Sequence, residues 1–240
     1  MTYEIPGKTG TEIETGKRRG RPRGAAATRS RILDVASSLI VGGGYHNVSL
    51  DDIAEQAGFS RRTIYDQFGS KRGVLIEILE RIAAEGLPEL LASVRQAKDP
   101  VQALYSAIPL SVAYTDRYVG IMRVFYAQSV NDLDFRAAWD HAQQGRWTNL
   151  RRVIEWLSRE GRLAEGWTLD RATDWLHWLT GFQLHDELVV NRGWSIEEMA
   201  QMMLRDVTSV LLAERDQSQS ERHITENENE LNTTKGPGKQ

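Results

Sequence analysis

Two adjacent guanidinium groups, Arg61 and Arg62, open the segment Arg61-Arg-Thr-Ile-Tyr-Asp-Gln-Phe68. A guanidinium at the start of a helix can bond bidentately to guanine O6 and N7, a contact worth about 1–3 kcal/mol of discrimination between bases. Thr63, Tyr65 and Gln67 in the same segment, and Lys71 just after it, carry donors suited to sugar-phosphate oxygens. Ile64 and Phe68 lie four residues apart and share one helical face. They fit a core, so the polar residues are left to point outward. The same residue types would also fit a solvated helix with no partner. What precedes them favours the first reading.

The preceding run, Ser49-Leu-Asp-Asp-Ile-Ala-Glu-Gln-Ala-Gly58-Phe-Ser60, predicts a short helix, a tight turn and a second cap. Ser49 is a good N-cap, and Asp51 and Asp52 complement the positive end of the helix dipole. Ile53, Ala54 and Ala57 supply an inner face. Gly58 stands where the chain leaves the helix, a place that favours left-handed backbone. Ser60 then caps the helix that begins with the two arginines. An arrangement of this kind lays its second helix in the DNA major groove. An earlier helix is predicted over 28–40, with Ile32, Val35, Ala36, Leu39 and Ile40 as its stripe and Gly42-Gly43-Gly44 as its end. Another begins after Ser70 and turns Val74, Leu75, Ile78, Leu79 and Ile82 inward. Gly86-Leu87-Pro88 predicts its interruption and a domain boundary.

Several pieces occur here in a particular order: Arg31-Ile-Leu-Asp-Val-Ala36, Gly44-Tyr-His-Asn-Val-Ser49, Ile53-Ala-Glu-Gln-Ala-Gly58, Thr63-Ile-Tyr65, Phe68 and Ser70-Lys71. In order and spacing the stretch from Thr28 to about Leu79 resembles the DNA-binding domain of the TetR family of transcriptional regulators. The resemblance covers the first third of the chain, and Tyr65-x-x-Phe68-x-x-Lys71 is its most diagnostic part. It implies base contacts from Arg61 and Arg62 and backbone contacts from Thr63, Tyr65 and Gln67. Lys71 adds its charge to a helix N-terminus facing a phosphate, and Ser49, Ser60 and Thr28 mark further helix starts at the backbone. Asp66 is awkward beside a polyanion unless Arg62, Lys71 or water offsets it.

Charge supports the division. Positions 17–72 hold eleven Lys or Arg against five Asp or Glu, a net +6, while the whole chain of 240 residues sums to −3. The remainder is therefore at −9. A basic third on an acidic remainder is the layout of a DNA reader joined to a part that avoids DNA. Lys17-Arg-Arg-Gly-Arg21-Pro-Arg-Gly24 forms a basic arm whose Gly-Arg-Pro core is similar to an AT-hook, with Arg21 entering a narrow minor groove. The alternative is a flexible tail attracted to phosphates alone. Residues 1–24 are expected to be a disordered arm, 25–87 the DNA-binding domain, 88–214 a helical effector-binding and dimerisation domain, and 215–240 a disordered polar tail.

Beyond Pro88 the periodicity is helical throughout, so the fold class is all-α. Helices are predicted over 100–114, 118–130, 135–160, 169–190 and 195–212, the last from the capping-box pair Ser195 and Glu198. Trp175, Leu176, Leu179, Phe182 and Leu188 make one apolar stripe, and Met199, Met202, Met203, Val207, Val210 and Leu211 another. The family resemblance implies that these two last helices pair with a second copy as a four-helix bundle. An intrachain core would read the same way. It also implies a small-molecule pocket, for which Tyr105, Tyr126, Trp147, Trp178 and His177 are the candidate lining among many aromatics.

Cysteine is absent, which excludes disulfides and thiolate metal sites. No phosphate loop, dinucleotide fingerprint or zinc-protease motif is present. His177 and His185 lie about 12 Å apart along a helix, too far to share a metal unaided. No catalytic residue, metal or cofactor is expected, nor a signal peptide or membrane span, and the expected location is the cytoplasm. The resulting expectation is a homodimeric repressor that binds a (pseudo)palindromic operator in double-stranded DNA and leaves it when a small-molecule effector binds. The alternatives are an architectural DNA-binding protein or a ligand-independent activator.

Overall fold

The computed structural model describes residues 23–213, which fold as helices joined by short connections. In chain order these are α1 (Arg23–Gly43), a 3₁₀ turn (Tyr45–Asn47), α2 (Leu50–Ala57), α3 (Arg61–Phe68) and α4 (Lys71–Gln96). Then follow α5 (Pro100–Ser129), α6 (Leu133–Arg159), α7 (Leu169–Leu179), α8 (Phe182–His185) and α9 (Ile196–Leu211), with a π-helical segment Asp186–Asn191 after α8. The basic arm, Arg21 included, and the polar tail lie outside the described residues, although α1 starts at Arg23, inside the span assigned to the arm.

Most helix starts are fixed by a side chain that satisfies the orphan amides of the first turn. Ser49 and Asp52 form a reciprocal capping box on α2, as do Ser195 and Glu198 on α9. Ser60, Ser70, Asp99, Asp132 and Thr168 cap α3, α4, α5, α6 and α7. Pro100 occupies the first turn of α5, where its missing N–H costs nothing.

Four predicted boundaries differ from the structure. Only Gly44, at φ 81°, ends α1; Gly42 and Gly43 remain helical. The break expected at 86–88 is absent, because α4 runs through it unbroken. Gly86 serves a packing purpose instead: a Cβ there would lie 1.9 Å from the Tyr114 ring of α5. The Tyr114 hydroxyl donates to Ile82 O at 3.0 Å, tying the two helices at that notch. The predicted pair 100–114 and 118–130 is one helix, α5. Its polar run is absorbed by the tertiary structure, with Thr115 buried and Asp116 paired to His185. Finally, 169–190 is not one helix. Thr180 Oγ1 folds back onto Leu176 O, and Arg146 takes His177 O at 2.7 Å and Thr180 Oγ1 at 2.9 Å, ending α7 there.

The apolar residues gather into two clusters. One joins Ile32, Ala36, Ile40, Ile53, Ile64, Leu75 and Ile78 of the first four helices to Ile121, Phe125, Phe135, Trp139 and Phe182. The other joins Leu104, Ile108, Ile154, Leu157 and Leu176 to Met199, Met203, Val207 and Leu211. Position 87 is thus not a packing boundary, since α4 passes it intact and α5 enters both clusters. Of the two stripes expected to pair with a second copy, Leu176, Leu179, Phe182, Met199, Met203, Val207 and Leu211 are buried within their own chain. Trp178, Val190, Trp194 and Val210 are the large apolar residues exposed at this end. Among the described residues no helix is long and apolar enough to cross a membrane.

Candidate nucleic-acid interface

The α2–α3 unit is built by short-range rules. Gly58 at φ 76° lets its N–H return to Ala54 O and Glu55 O, which closes α2 and reverses the chain. Ser60 Oγ accepts from Thr63 N at 3.1 Å, starting α3 at Arg61. Ile64 is fully buried and anchors α3 against the core. From α1, Arg31 Nε donates to Ala57 O at 2.8 Å. Arg29 stacks 4.5 Å above the Phe68 ring and pairs with Glu77 of α4 at 2.7 Å. The C-terminal end of the recognition helix is therefore held by Arg29 of α1, while its N-terminal end is set by the Ser60 cap.

Its outer face presents the residues singled out in the sequence. Arg61 and Arg62 are exposed, as is Tyr65 at 61%. Thr63 and Gln67 are half-buried at the edge of the same face. The hydroxyls of Thr63 and Ser60 lie 2.8 Å apart, so one donates to the other. Asp66 sits 3.7 Å from Arg62, one turn back, which supplies an offset for the awkward carboxylate. Arg61 Nη1 donates to Asp51 Oδ2 at 2.7 Å. The sequence marks Asp51 only as a helix-dipole residue, and a ten-residue spacing to Arg61 across a turn gives no sign of contact.

Two candidates are placed differently from expectation. Lys71 Nζ donates to Tyr45 O at 2.7 Å and Val48 O at 2.8 Å, beneath the Tyr45 ring. Its burial there lowers the ammonium pKa. Two of its three protons thus hold the α1–α2 connection, and one remains for a phosphate. Thr28 lies inside α1, more than a turn from its start, so it presents no helix N-terminus. Ser49 does stand at the N-terminus of α2, exposed and held in its capping box.

The five pocket candidates do not converge. Trp147 and His177, with Asp140, Gln143, Gln144 and Asp174, line an open groove of about 480 Å³ between α6 and α7. Tyr126 instead packs against the Trp139 and Phe182 rings. Trp178 is 64% exposed and faces outward, and Tyr105 lies half-buried on α5. Within the groove Trp147 Nε1 donates to Asp174 Oδ1 at 2.7 Å. Burial, reinforced by the nearby Arg146, pushes His177 down to about 4. Burial also lowers Arg146, to about 10, because its partners Gln143, Thr180 and the His177 carbonyl are all neutral. Sequence reasoning missed Arg146 as the residue that ends α7; nothing in its spacing marks it. Among the described residues no group of three His, Asp or Glu is placed to hold a metal.

The model of bacterial regulatory proteins of the tetR family matches residues 32–78, the span from the α1 stripe through the first half of α4. Over that span the chain carries a TetR-family DNA-binding domain. The transcriptional activator FasR of Mycolicibacterium smegmatis is 35% identical to it over 82 residues, covering 34% of this chain and 36% of FasR. The transcriptional repressor KstR2 of Rhodococcus jostii is 28% identical over 130 residues, covering 48% and 63%. The chain therefore spans less than two thirds of the length of these relatives. A solved transcriptional regulator from Saccharomonospora viridis, in complex with choline, superposes with a TM-score of 0.69 at 23% identity, over 78% of this chain and 99% of that one. At that identity the likeness is one of fold, and it extends over the helices beyond α4.

Proposed function

We propose that this chain is a sequence-specific DNA-binding transcriptional regulator, a homodimeric repressor of a (pseudo)palindromic operator that a small-molecule effector releases. One observation carries the reading: Arg61 and Arg62 stand exposed at the start of a recognition helix whose first turn is fixed by the Ser60 cap, whose inner face is buried through Ile64 and whose far end is held by Arg29. Rigid presentation lets an arginine read base edges instead of merely following phosphates. The basic arm around Arg21 adds phosphate or minor-groove attraction outside the recognition helix.

Dimerisation is assigned to the α7–α9 end, where Trp178, Val190, Trp194 and Val210 are exposed. Two copies joined there would set two α3 helices on half-sites about one helical turn, or a multiple, apart. The effector is read as a small organic molecule, in line with the choline of the Saccharomonospora viridis regulator. It would act by favouring a dimer whose recognition helices no longer match the half-site spacing. KstR2 is named a repressor and FasR an activator, so the sign of regulation is measured with a reporter.

Selection of bound duplexes from a random pool by the full chain tests the reading. An enriched motif with two symmetric half-sites is the expected result. Equal retention of all sequences, with affinity falling alike on each as salt rises, would instead identify an architectural DNA-binding protein.

A further inference from the structure

We infer that Asp51 is a positioning residue for base reading, holding the Arg61 guanidinium so that its free edge meets a base and not a phosphate. The inference rests on the DNA-binding function proposed above. Asp51 Oδ2 accepts from Arg61 Nη1 at 2.7 Å, a bond between the first turn of α2 and the first residue of α3. Neither anchor is loose: the Ser49–Asp52 capping box fixes the start of α2, and Ser60 fixes the start of α3.

A guanidinium offers five N–H donors in one plane. With Nη1 held by Asp51, the Nε/Nη2 edge remains whole, and that edge suffices for a bidentate bond to guanine O6 and N7. The carboxylate also offsets the arginine's charge, which weakens its attraction to phosphates while leaving its directional donors intact. Arg62 provides the internal contrast. Its carboxylate, Asp66, lies 3.7 Å away on the same helix, beyond hydrogen-bond distance, and the Arg62 side chain is 89% exposed. Arg62 is thus free to follow the backbone, whereas Arg61 is aimed. An exposed pair of this kind contributes little to folding, so its removal leaves the scaffold intact.

The test uses the full chain and its selected operator, with a set of duplexes each changed at one base pair, at several salt concentrations. In D51N, discrimination at one base pair per half-site should fall about tenfold. Binding to unrelated duplex should strengthen, and the slope of log K against log salt should steepen by about 0.9 as Arg61 gains a phosphate. D66N, which removes a carboxylate from the same face, should leave discrimination at that base pair unchanged. In an R61A background, D51N should change nothing further there. D51E, which keeps the charge but shifts it by one methylene, should restore the salt slope without the discrimination. The inference is overturned if D51N retains wild-type discrimination, if the loss spreads evenly over all base pairs, or if D66N reproduces it. A wild-type chain with no sequence preference would end the DNA-binding reading itself, a result distinct from these three.

Discussion

The α2–α3 unit and the α6–α7 groove both set polar side chains beside a helix terminus, yet by opposite means. In the first, each cap and turn is made by residues within four positions of one another: Ser49 with Asp52, Ser60 with Thr63, Gly58 with Ala54. In the second, the end of α7 is made by Arg146, more than thirty residues away on α6. Local devices leave the outer face free to carry donors to a partner. Remote devices consume the polar groups internally, leaving a largely buried guanidinium with neutral partners and a histidine held neutral.

Several measurements can break or sharpen this contrast. The largest effect is expected for F125A, since Phe125 is almost fully buried between the first four helices and the rings of Phe135 and Trp139. Its loss should cost about 3–5 kcal/mol in denaturant unfolding, and in one transition for both halves. Two separated transitions would show that the recognition unit is independent after all. G86A comes next. Alanine is the better helix former, but its methyl group would meet the Tyr114 ring, so a net loss of about 1–3 kcal/mol is expected. A stabilised variant would mean the ring yields easily. G58A should cost about 1–2 kcal/mol, because only glycine holds φ 76° without strain. S49A should cost about 1 kcal/mol through the lost cap, read as a lower melting temperature with α3 unchanged.

The smallest effect concerns pH. His177 has a folded pKa of about 4 against an ordinary 6.5, so the folded chain resists a proton that the unfolded chain accepts. The neutral imidazole therefore leaves stability at its full value above pH 6.5, and stability falls as pH drops from there to about 4. The melting temperature of H177Q should decline less over that window; an identical decline would place the titration elsewhere.

The same division explains what could be read in advance. Ser49, Gly58, Ser60, Ile64 and the α9 capping box were legible because each acts on its immediate neighbours. Gly86-Leu87-Pro88 and Thr115-Asp116-Arg117 looked like breaks by local propensity, and packing overrode them: a ring fills the glycine notch and His185 engages Asp116. The Met and Leu stripes of the last helices had the right period, but periodicity does not say whose core they enter. Lys71 was recognised as important, yet its engagement of Tyr45 O and Val48 O depends on a segment 23 to 26 residues earlier. Asp51 was missed as a partner for the same reason.

The passage of α5 through both apolar clusters bears on how such a protein can be recombined. A head excised after α4 would leave behind Ile121, Phe125 and Phe135, and its raw inner wall would invite clumping. Chimeras that transplant the DNA reader onto a foreign body must therefore carry a matching seat for that wall.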